Sequence, residues 1–382
     1  MRAGVSDFCG MKTLLTVVGA RPQFIKASAL RRVLSEGRHG LREVLLHTGQ
    51  HGDDAMSGVF FRELGMAPPD IHVALGTSDI GGGVPARMGA MVEGVWRAVE
   101  EVRPDALLVY GDTDSTLAGA WVAARAGIPL VHVEAGLRSY DRAMPEEVNR
   151  VVADVLADVC LCTNADAADR VRGELGPVRV GRVAVHAVGD VMLDVARYVG
   201  SGPEPDRTWR AVMTLHRPSN VDDRQRLRQW IEAVAEVAAA DGGGREVVFP
   251  VHPRTAAGCR MLFGDSWQAA LAALGIRAIA PVGYVEMAQL VRSSDLVITD
   301  SGGLQKEAFY FQRPCVVARP VTEWVELVAG GYAVLAAEPG DVASAVNRVE
   351  AQAAGCDWAA ELYGDGRAAE RSAQILSAWL GA

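Results

Sequence analysis

Carboxylates, histidines and arginines in this 382-residue sequence gather where short apolar runs give way to polar turns. The richest stretch is His132-Val133-Glu134-Ala135-Gly136-Leu137-Arg138, followed by Pro145-Glu146-Glu147-Val148-Asn149-Arg150. Glu134 leaves an apolar run, where weak solvation suits a carboxyl group that takes up and releases protons. Glu146 and Arg150 stand four apart after a proline, on one face of a helix's first turns, either as a plain surface pair or as part of a site. Gly111-Asp112-Thr113-Asp114-Ser115 closes another run and is open to the same two readings, a helix cap or a site. Arg21 and Lys26 follow the first run at a turn-to-helix junction, where cations and a helix N-terminus can meet an anion.

The second half repeats this arrangement. His216-Arg217-Pro218 and His252-Pro253-Arg254 end two successive runs, and two histidines so placed beside arginines suggest an anionic ligand. No carboxylate or cysteine completes a metal set around them, so no metal is expected. Asp300-Ser301-Gly302-Gly303-Leu304-Gln305-Lys306-Glu307 is the most specific local signal. A strand there runs through two glycines into a helix, so that backbone N–H groups and the helix dipole can face a diphosphate. Glu307, one turn into that helix, is placed to grip sugar hydroxyls.

The elements that must hold these residues alternate from end to end, as in βαβ units with parallel sheets. Strands are expected at 13–19, 43–48, 106–110, 129–133, 159–163 and 183–188, with helices between them, for example 23–35 and 191–199. A second series is expected at 211–216, 247–251, 276–282, 296–299, 315–319 and 333–335, with helices such as 222–239 and 284–293. Gly200-Ser201-Gly202-Pro203-Glu204-Pro205-Asp206 reads as a linker. The expected fold is α/β, two doubly wound domains in tandem, 1–200 and 201–366, with ligands beyond the carboxyl ends of the strands in a cleft.

The formal charge of −9 argues against nucleic acid as the main partner. No apolar run reaches the ~20 residues of a membrane span, and the start lacks the pattern of a signal peptide. Six cysteines in a chain this long form no disulfide framework, and Cys160 and Cys162 read as buried thiols in a cytoplasmic protein.

Taken in order, several of these motifs resemble one family. They are Gly19-Ala20-Arg21-Pro22 with Lys26, Thr48-Gly49-Gln50-His51, Gly111-Asp112-Thr113, the stretch from His132 to Arg138, Pro145-Glu146-Glu147 with Asn149-Arg150, His216-Arg217, His252-Pro253, and Asp300-Ser301-Gly302-Gly303 with Glu307. The chain resembles the non-hydrolysing UDP-N-acetylglucosamine 2-epimerases from about residue 12 to 380. The resemblance implies a glycosyltransferase-B arrangement of two Rossmann-like domains, with a last helix, within 367–382, returning to the first. It also implies a homodimer without cofactor that interconverts UDP-N-acetylglucosamine and UDP-N-acetylmannosamine. UDP leaves C1 while a base takes the C2 proton, giving 2-acetamidoglucal, and UDP then adds back with a proton on the opposite face.

By motif position the resemblance makes Asp112, Glu134 and Glu146 the acid–base candidates. Arg21, His216, Ser301, Gly302, Gly303 and Arg319 would hold the diphosphate and Glu307 the ribose, with Lys26, Arg150 and His252 completing the site; His216 counts with the catalytic set. Three departures bear on the substrate and on regulation. Arg319-Pro320-Val321-Thr322-Glu323-Trp324 replaces the family's usual Arg-Asp-Thr-Thr-Glu-Arg-Pro, and Gly189-Asp190-Val191 replaces a Gly-Asn-Thr type. Both variants resemble the branch containing epimerases of UDP-2,3-diacetamido-glucuronic acid. Asp53 stands where regulated members carry an effector-binding glutamine. The rival readings are a hydrolysing epimerase that releases free sugar and UDP, a glycosyltransferase of the same fold, and a nucleotide-sugar sensor.

Overall fold

The computed structural model describes residues 10–50, 61, 63–75, 82–176, 183–201 and 210–382. His51, Asp53 and residues 202–206 of the linker lie outside them. The chain forms two compact units, one of Met1–Val195 with Glu361–Ala382 and the other of Ala196–Ala360.

The first unit is built on β1 (Lys12–Val18), β2 (Leu41–His47), β3 (Ile71–His72), β4 (Ala106–Tyr110), β5 (Leu130–Ala135), β6 (Val159–Cys162) and β7 (Ala184–Ala187). They pair in parallel in the order β3-β2-β1-β4-β5-β6-β7. β4 and β6 are buried at every residue, the continuous apolar pattern of a sheet covered on both faces. Cys160 and Cys162 are buried in that core outside any disulfide, and burial pushes the Cys162 thiol up to about 12. The chain leaves β1 toward one edge and returns at β4 to build the other, so the strand order reverses between β1 and β4. Ligand crevices in doubly wound sheets open at such a reversal, beyond the carboxyl ends of the strands. Gly19 to Lys26 and Gly111 to Asp114 follow those two ends.

The helix Ala368–Leu380 belongs to this unit and packs on the helix Arg21–Ser35. Its first N–H groups, on Ala368 and Ala369, donate to the Asp194 carboxylate at 3.0 and 2.7 Å, and Arg38 pairs with Glu370 at 2.7 Å. A carboxylate at a helix N-terminus satisfies donors that the helix itself cannot.

The second unit carries β8 (Arg210–Thr214), β9 (Glu246–Pro250), β10 (Ile276–Ile279), β11 (Leu296–Thr299), β12 (Cys315–Val317) and β13 (Ala333–Leu335). They too are parallel, in the order β10-β9-β8-β11-β12-β13. Here the reversal lies between β8 and β11, the strands that His216 and Asp300 follow. Trp230, Phe249, Leu227 and Ile298 fill the core beneath it. No helix among the described residues is long and apolar enough to cross a membrane.

Candidate active site

In the first unit, β5 is irregular at Glu134. Val133 pairs with Leu161 and Ala135 with Cys162, so Glu134 is an extra residue against the neighbouring strand, with a left-handed φ of 68°. A bulge of this kind re-aims one side chain out of the alternating pattern. The sequence reading ended this strand at residue 133; it runs on to Ala135 around the bulge. The Glu134 carboxylate accepts a hydrogen bond from Lys26 Nζ at 2.8 Å, with both side chains nearly buried (8% and 12% exposed). Gly111 turns beneath this pair with φ 61°, and a Cβ there would lie 3.2 Å from the Lys26 ammonium.

Asp112 follows that turn and pairs with the Arg150 guanidinium. Burial pushes its carboxyl above the ordinary range and the Glu134 charge adds to this, while Arg150 and Lys26 pull the other way. The Asn149 amide donates to the Asp112 carbonyl at 3.0 Å and to Asp114 at 3.3 Å. Glu134, Lys26, Asp112 and Arg150 therefore form two linked ion pairs at the strand-order reversal.

Gln23 fixes the turn that carries Arg21. Its side-chain oxygen accepts from the N–H groups of Gly19 and Ala20 at 2.8 and 3.1 Å, and its NH2 donates to the Tyr110 carbonyl at 2.8 Å. The helix therefore starts at Arg21, two residues before the start at residue 23 read from sequence, with Pro22 in its first turn. Arg21 itself is exposed at the helix start.

In the second unit, fully buried Asp300 gathers the end of β8. It accepts from the N–H groups of His216 and Arg217 at 3.0 and 2.9 Å and from the Asn220 amide at 3.1 Å, and its other oxygen lies 3.0 Å from His216 Nδ1. Burial raises its carboxyl, but these donors outweigh burial and hold it below the ordinary carboxylate range. His216 is 41% exposed, and its ring centroid stands 6.0 Å from that of His252. His252 Nδ1 accepts from the Arg254 N–H at 3.2 Å and so caps the helix Pro253–Phe263. Burial and the neighbouring His216 and Arg254 keep its ring below the usual histidine range.

Ser301 caps the helix Gly302–Tyr310, its hydroxyl accepting from Leu304 N–H at 3.4 Å. A Cβ on Gly303 would meet nothing within 4 Å, whereas one on Gly302 would stand 2.3 Å from Glu323 Oε1. At Gly303 the helix start is therefore open to close approach by a ligand. Arg319, nearly buried, pairs with Glu323 at 2.9 Å. Glu307 is buried one turn inside the helix.

A model of the family described as UDP-N-acetylglucosamine 2-epimerase matches residues 35–377. The chain belongs to the UDP-N-acetylglucosamine 2-epimerase family. It is 40% identical over 370 residues to the UDP-2,3-diacetamido-2,3-dideoxy-D-glucuronate 2-epimerase of Pseudomonas aeruginosa, covering 95% of this chain and 99% of that one. The crystal structure of the Methanocaldococcus jannaschii UDP-GlcNAc 2-epimerase in complex with UDP-GlcNAc and UDP superposes with TM-score 0.76 at 28% identity, over 96% and 99% of the chains. Acinetobacter baumannii MurG shares the fold alone, with TM-score 0.54 at 11% identity over 96% and 99% of the chains. The protein is a UDP-sugar 2-epimerase whose two Rossmann-like units are of the glycosyltransferase-B type.

In this epimerase the surface-pair reading of Glu146 and Arg150 is not what the structure shows. Glu146 is exposed, and Arg150 does not pair with it. Arg150 reaches Asp112 and, at 3.3 Å, Glu147. Glu147 also accepts from the N–H groups of Ser139 and Tyr140 at 2.8 and 3.0 Å, and these donors hold its carboxyl low against the opposing effect of burial. The proline-led helix starts so that the second glutamate turns inward, which an i,i+4 count from the first could not reveal.

Sequence reasoning named Trp324 and Lys306 within their motifs but not the contact between them. The Trp324 indole donates to the Gly302 carbonyl at 2.9 Å, and its ring covers the buried Lys306 ammonium at 4.2 Å. Thr322 donates to Gln305 at 2.6 Å. The variant segment Pro320 to Trp324 is thereby fastened to the helix that bears the two glycines. A tryptophan in place of the family's arginine was the visible signal.

Proposed function

We propose that the epimerase acts on a UDP-2-acetamido sugar that also carries an acetamido group at C3 and a carboxylate at C6. This departs from the UDP-N-acetylglucosamine expected from the resemblance. Support comes from the 40% identity to the Pseudomonas aeruginosa enzyme and from the variant segment held by Trp324. UDP-N-acetylglucosamine is the second reading, favoured by the solved Methanocaldococcus jannaschii relative.

The observation that carries the chemistry is the bulge presenting Glu134 to Lys26 beside Asp112 and Arg150. Removing a C2 proton and returning it to the other face needs two proton-handling groups, and Glu134 and Asp112, with Glu146 as a third candidate, fill these roles. Arg21 and Lys26 add positive charge beside them. The departing diphosphate needs cations and N–H donors, the part of Ser301, Gly302, Gly303, Arg319 and His216, with His252 beside it. Glu307 takes the ribose hydroxyls.

Incubation in D2O with each UDP-sugar, followed by proton NMR, tests this reading. The diacetamido uronate is expected to give its 2-epimer with deuterium at C2, at a higher kcat/KM than UDP-N-acetylglucosamine. Preference for UDP-N-acetylglucosamine would establish the second reading. Free sugar plus UDP would establish the hydrolase, and no turnover of either would leave a transferase or sensor.

A homodimer is part of the same proposal. Trp121, Val148 and Val155 are exposed on the adjoining helices Asp114–Ala126 and Pro145–Leu156. A groove beside Trp121, lined by Trp96 and Val92, is rimmed by Glu93, Glu100, Arg97 and Arg125. An apolar face with balanced charges suits a second copy related by a two-fold axis. Trp121→Glu is expected to yield a monomer by light scattering where the wild type is a dimer; an unchanged mass would refute this face.

A further inference from the structure

Behind the proton-handling groups lies a buried hydrogen-bond chain centred on His132, a residue that none of the roles above uses. His132 sits on β5 without any exposure. Its Nε2 lies 2.7 Å from the Gly111 carbonyl oxygen and its Nδ1 2.7 Å from Asp154 Oδ1. A carbonyl oxygen can only accept, so Nε2 carries a hydrogen and donates to Gly111. Asp154, also fully buried, accepts from the Gly136 N–H at 3.1 Å and from Arg138 Nη1 at 2.6 Å. Burial raises the Asp154 carboxyl, but His132 and Arg138 outweigh burial and hold it below the ordinary range. The Asp154 carboxylate can likewise only accept, so Nδ1 donates to it and His132 bonds both groups as a donor.

Each end of this chain grips a backbone next to a reacting group. Gly111 is in the left-handed region with φ 61°, and its carbonyl is the last fixed point before Asp112. Gly136, with φ 82°, follows the bulge that aims Glu134, and a Cβ there would stand 2.4 Å from the Ala167 carbonyl oxygen. Asp154 lies on the helix Pro145–Leu156, which also carries Asn149 and Arg150, the partners of Asp112. One imidazole therefore joins the turn before Asp112, the turn after Glu134 and the helix that holds Arg150.

We propose that His132 is a positioning residue for the epimerisation: by bonding Gly111 through Nε2 and Asp154 through Nδ1, it sets Asp112 and Glu134 at their working separation. This rests on reading those two carboxylates as the proton-handling groups. A group held about 1 Å out of place loses roughly 10²-fold in rate.

Two isosteric variants separate the role from mere packing. The amide nitrogen of glutamine falls near Nε2 and can still donate to Gly111, whereas asparagine reaches only the Nδ1 position. His132→Asn is expected to lose roughly 10²-fold in kcat per UDP-binding site with KM little changed, and His132→Gln to recover much of that loss. Equal kcat in the two variants, or wild-type kcat in His132→Asn, would overturn the proposal. An independent arm uses the unaltered, 15N-labelled protein without substrate. It should give a slowly exchanging, downfield Nε2–H signal for His132; a ring with hydrogen on Nδ1 alone would overturn the proposal whatever the reaction proves to be. If Asp112→Asn keeps full turnover while the Nε2–H signal is present, the assignment of the carboxylates has failed and the hydrogen-bond chain has not.

Discussion

Glu134→Gln is expected to lower kcat by at least ~10²-fold, the usual contribution of a general acid or base, while the protein stays folded and still binds UDP. Glutamine keeps the size of the side chain, and its amide oxygen can accept the Lys26 hydrogen bond that Oε1 takes at 2.8 Å. What it lacks is a second protonation state. The left-handed backbone at residue 134 is set by the bulge in β5 and is as accessible to glutamine as to glutamate. The groups proposed to hold the diphosphate, Ser301, Gly302, Gly303 and Arg319, belong to the other sheet and are untouched. The loss should therefore fall on kcat, with KM changed little, the pattern of an interaction used in the transition state. Deuterium exchange at C2, measured separately from net epimerisation, should slow in parallel if Glu134 handles that proton. Turnover within a few-fold of wild type would remove Glu134 from the proton-handling set.

Much of the fold was legible because a parallel sheet covered on both faces writes itself as apolar runs. The runs at 106–110 and 296–299 match β4 and β11 residue for residue. β3 was missed because two residues are too short to carry a period. The candidate site was legible as a set of motifs at strand ends, since ligands in doubly wound sheets gather there. Its internal geometry was not. Whether Glu146 or Glu147 faces Arg150 depends on the phase of one helix turn, which only packing decides. That Glu134 sits in a bulge depends on how β5 registers against β6, a long-range matter that no local window contains. His132 opens the richest stretch but carries no role of its own there, because its partners lie 21 and 22 positions away.

The largest effect on stability is expected at Asp300. Asp300→Asn should destabilise the protein by about 3–5 kcal/mol, the scale for breaking a buried charged network from one side. The carboxylate is fully buried and takes hydrogen bonds from the His216 and Arg217 N–H groups and the Asn220 amide, with His216 Nδ1 3.0 Å away. Asparagine offers one acceptor oxygen in place of two and no charge, so the donors gathered here lose their charge-assisted hydrogen bonds. Asn220 carries the damage further. Its amide also donates to the Ala318 carbonyl at 3.0 Å, and its oxygen accepts from the Trp230 indole at 3.1 Å, so one network links the ends of β8, β11 and β12. Because folded proteins hold only about 5–15 kcal/mol in reserve, such a loss is measurable by urea unfolding at neutral pH and should weaken UDP binding as well.

The pH dependence gives a second check on the same residue. The folded-state pKa of Asp300 is depressed, so its contribution is fully present above the unfolded value, about pH 4, and is lost as pH falls through the folded value below it. The stability gap between wild type and Asp300→Asn should hence be present at about pH 5 and narrow as the medium becomes more acidic. A gap that stays flat to the acid unfolding limit would mean that the charge of Asp300 contributes nothing, and that the variant is weakened by shape alone.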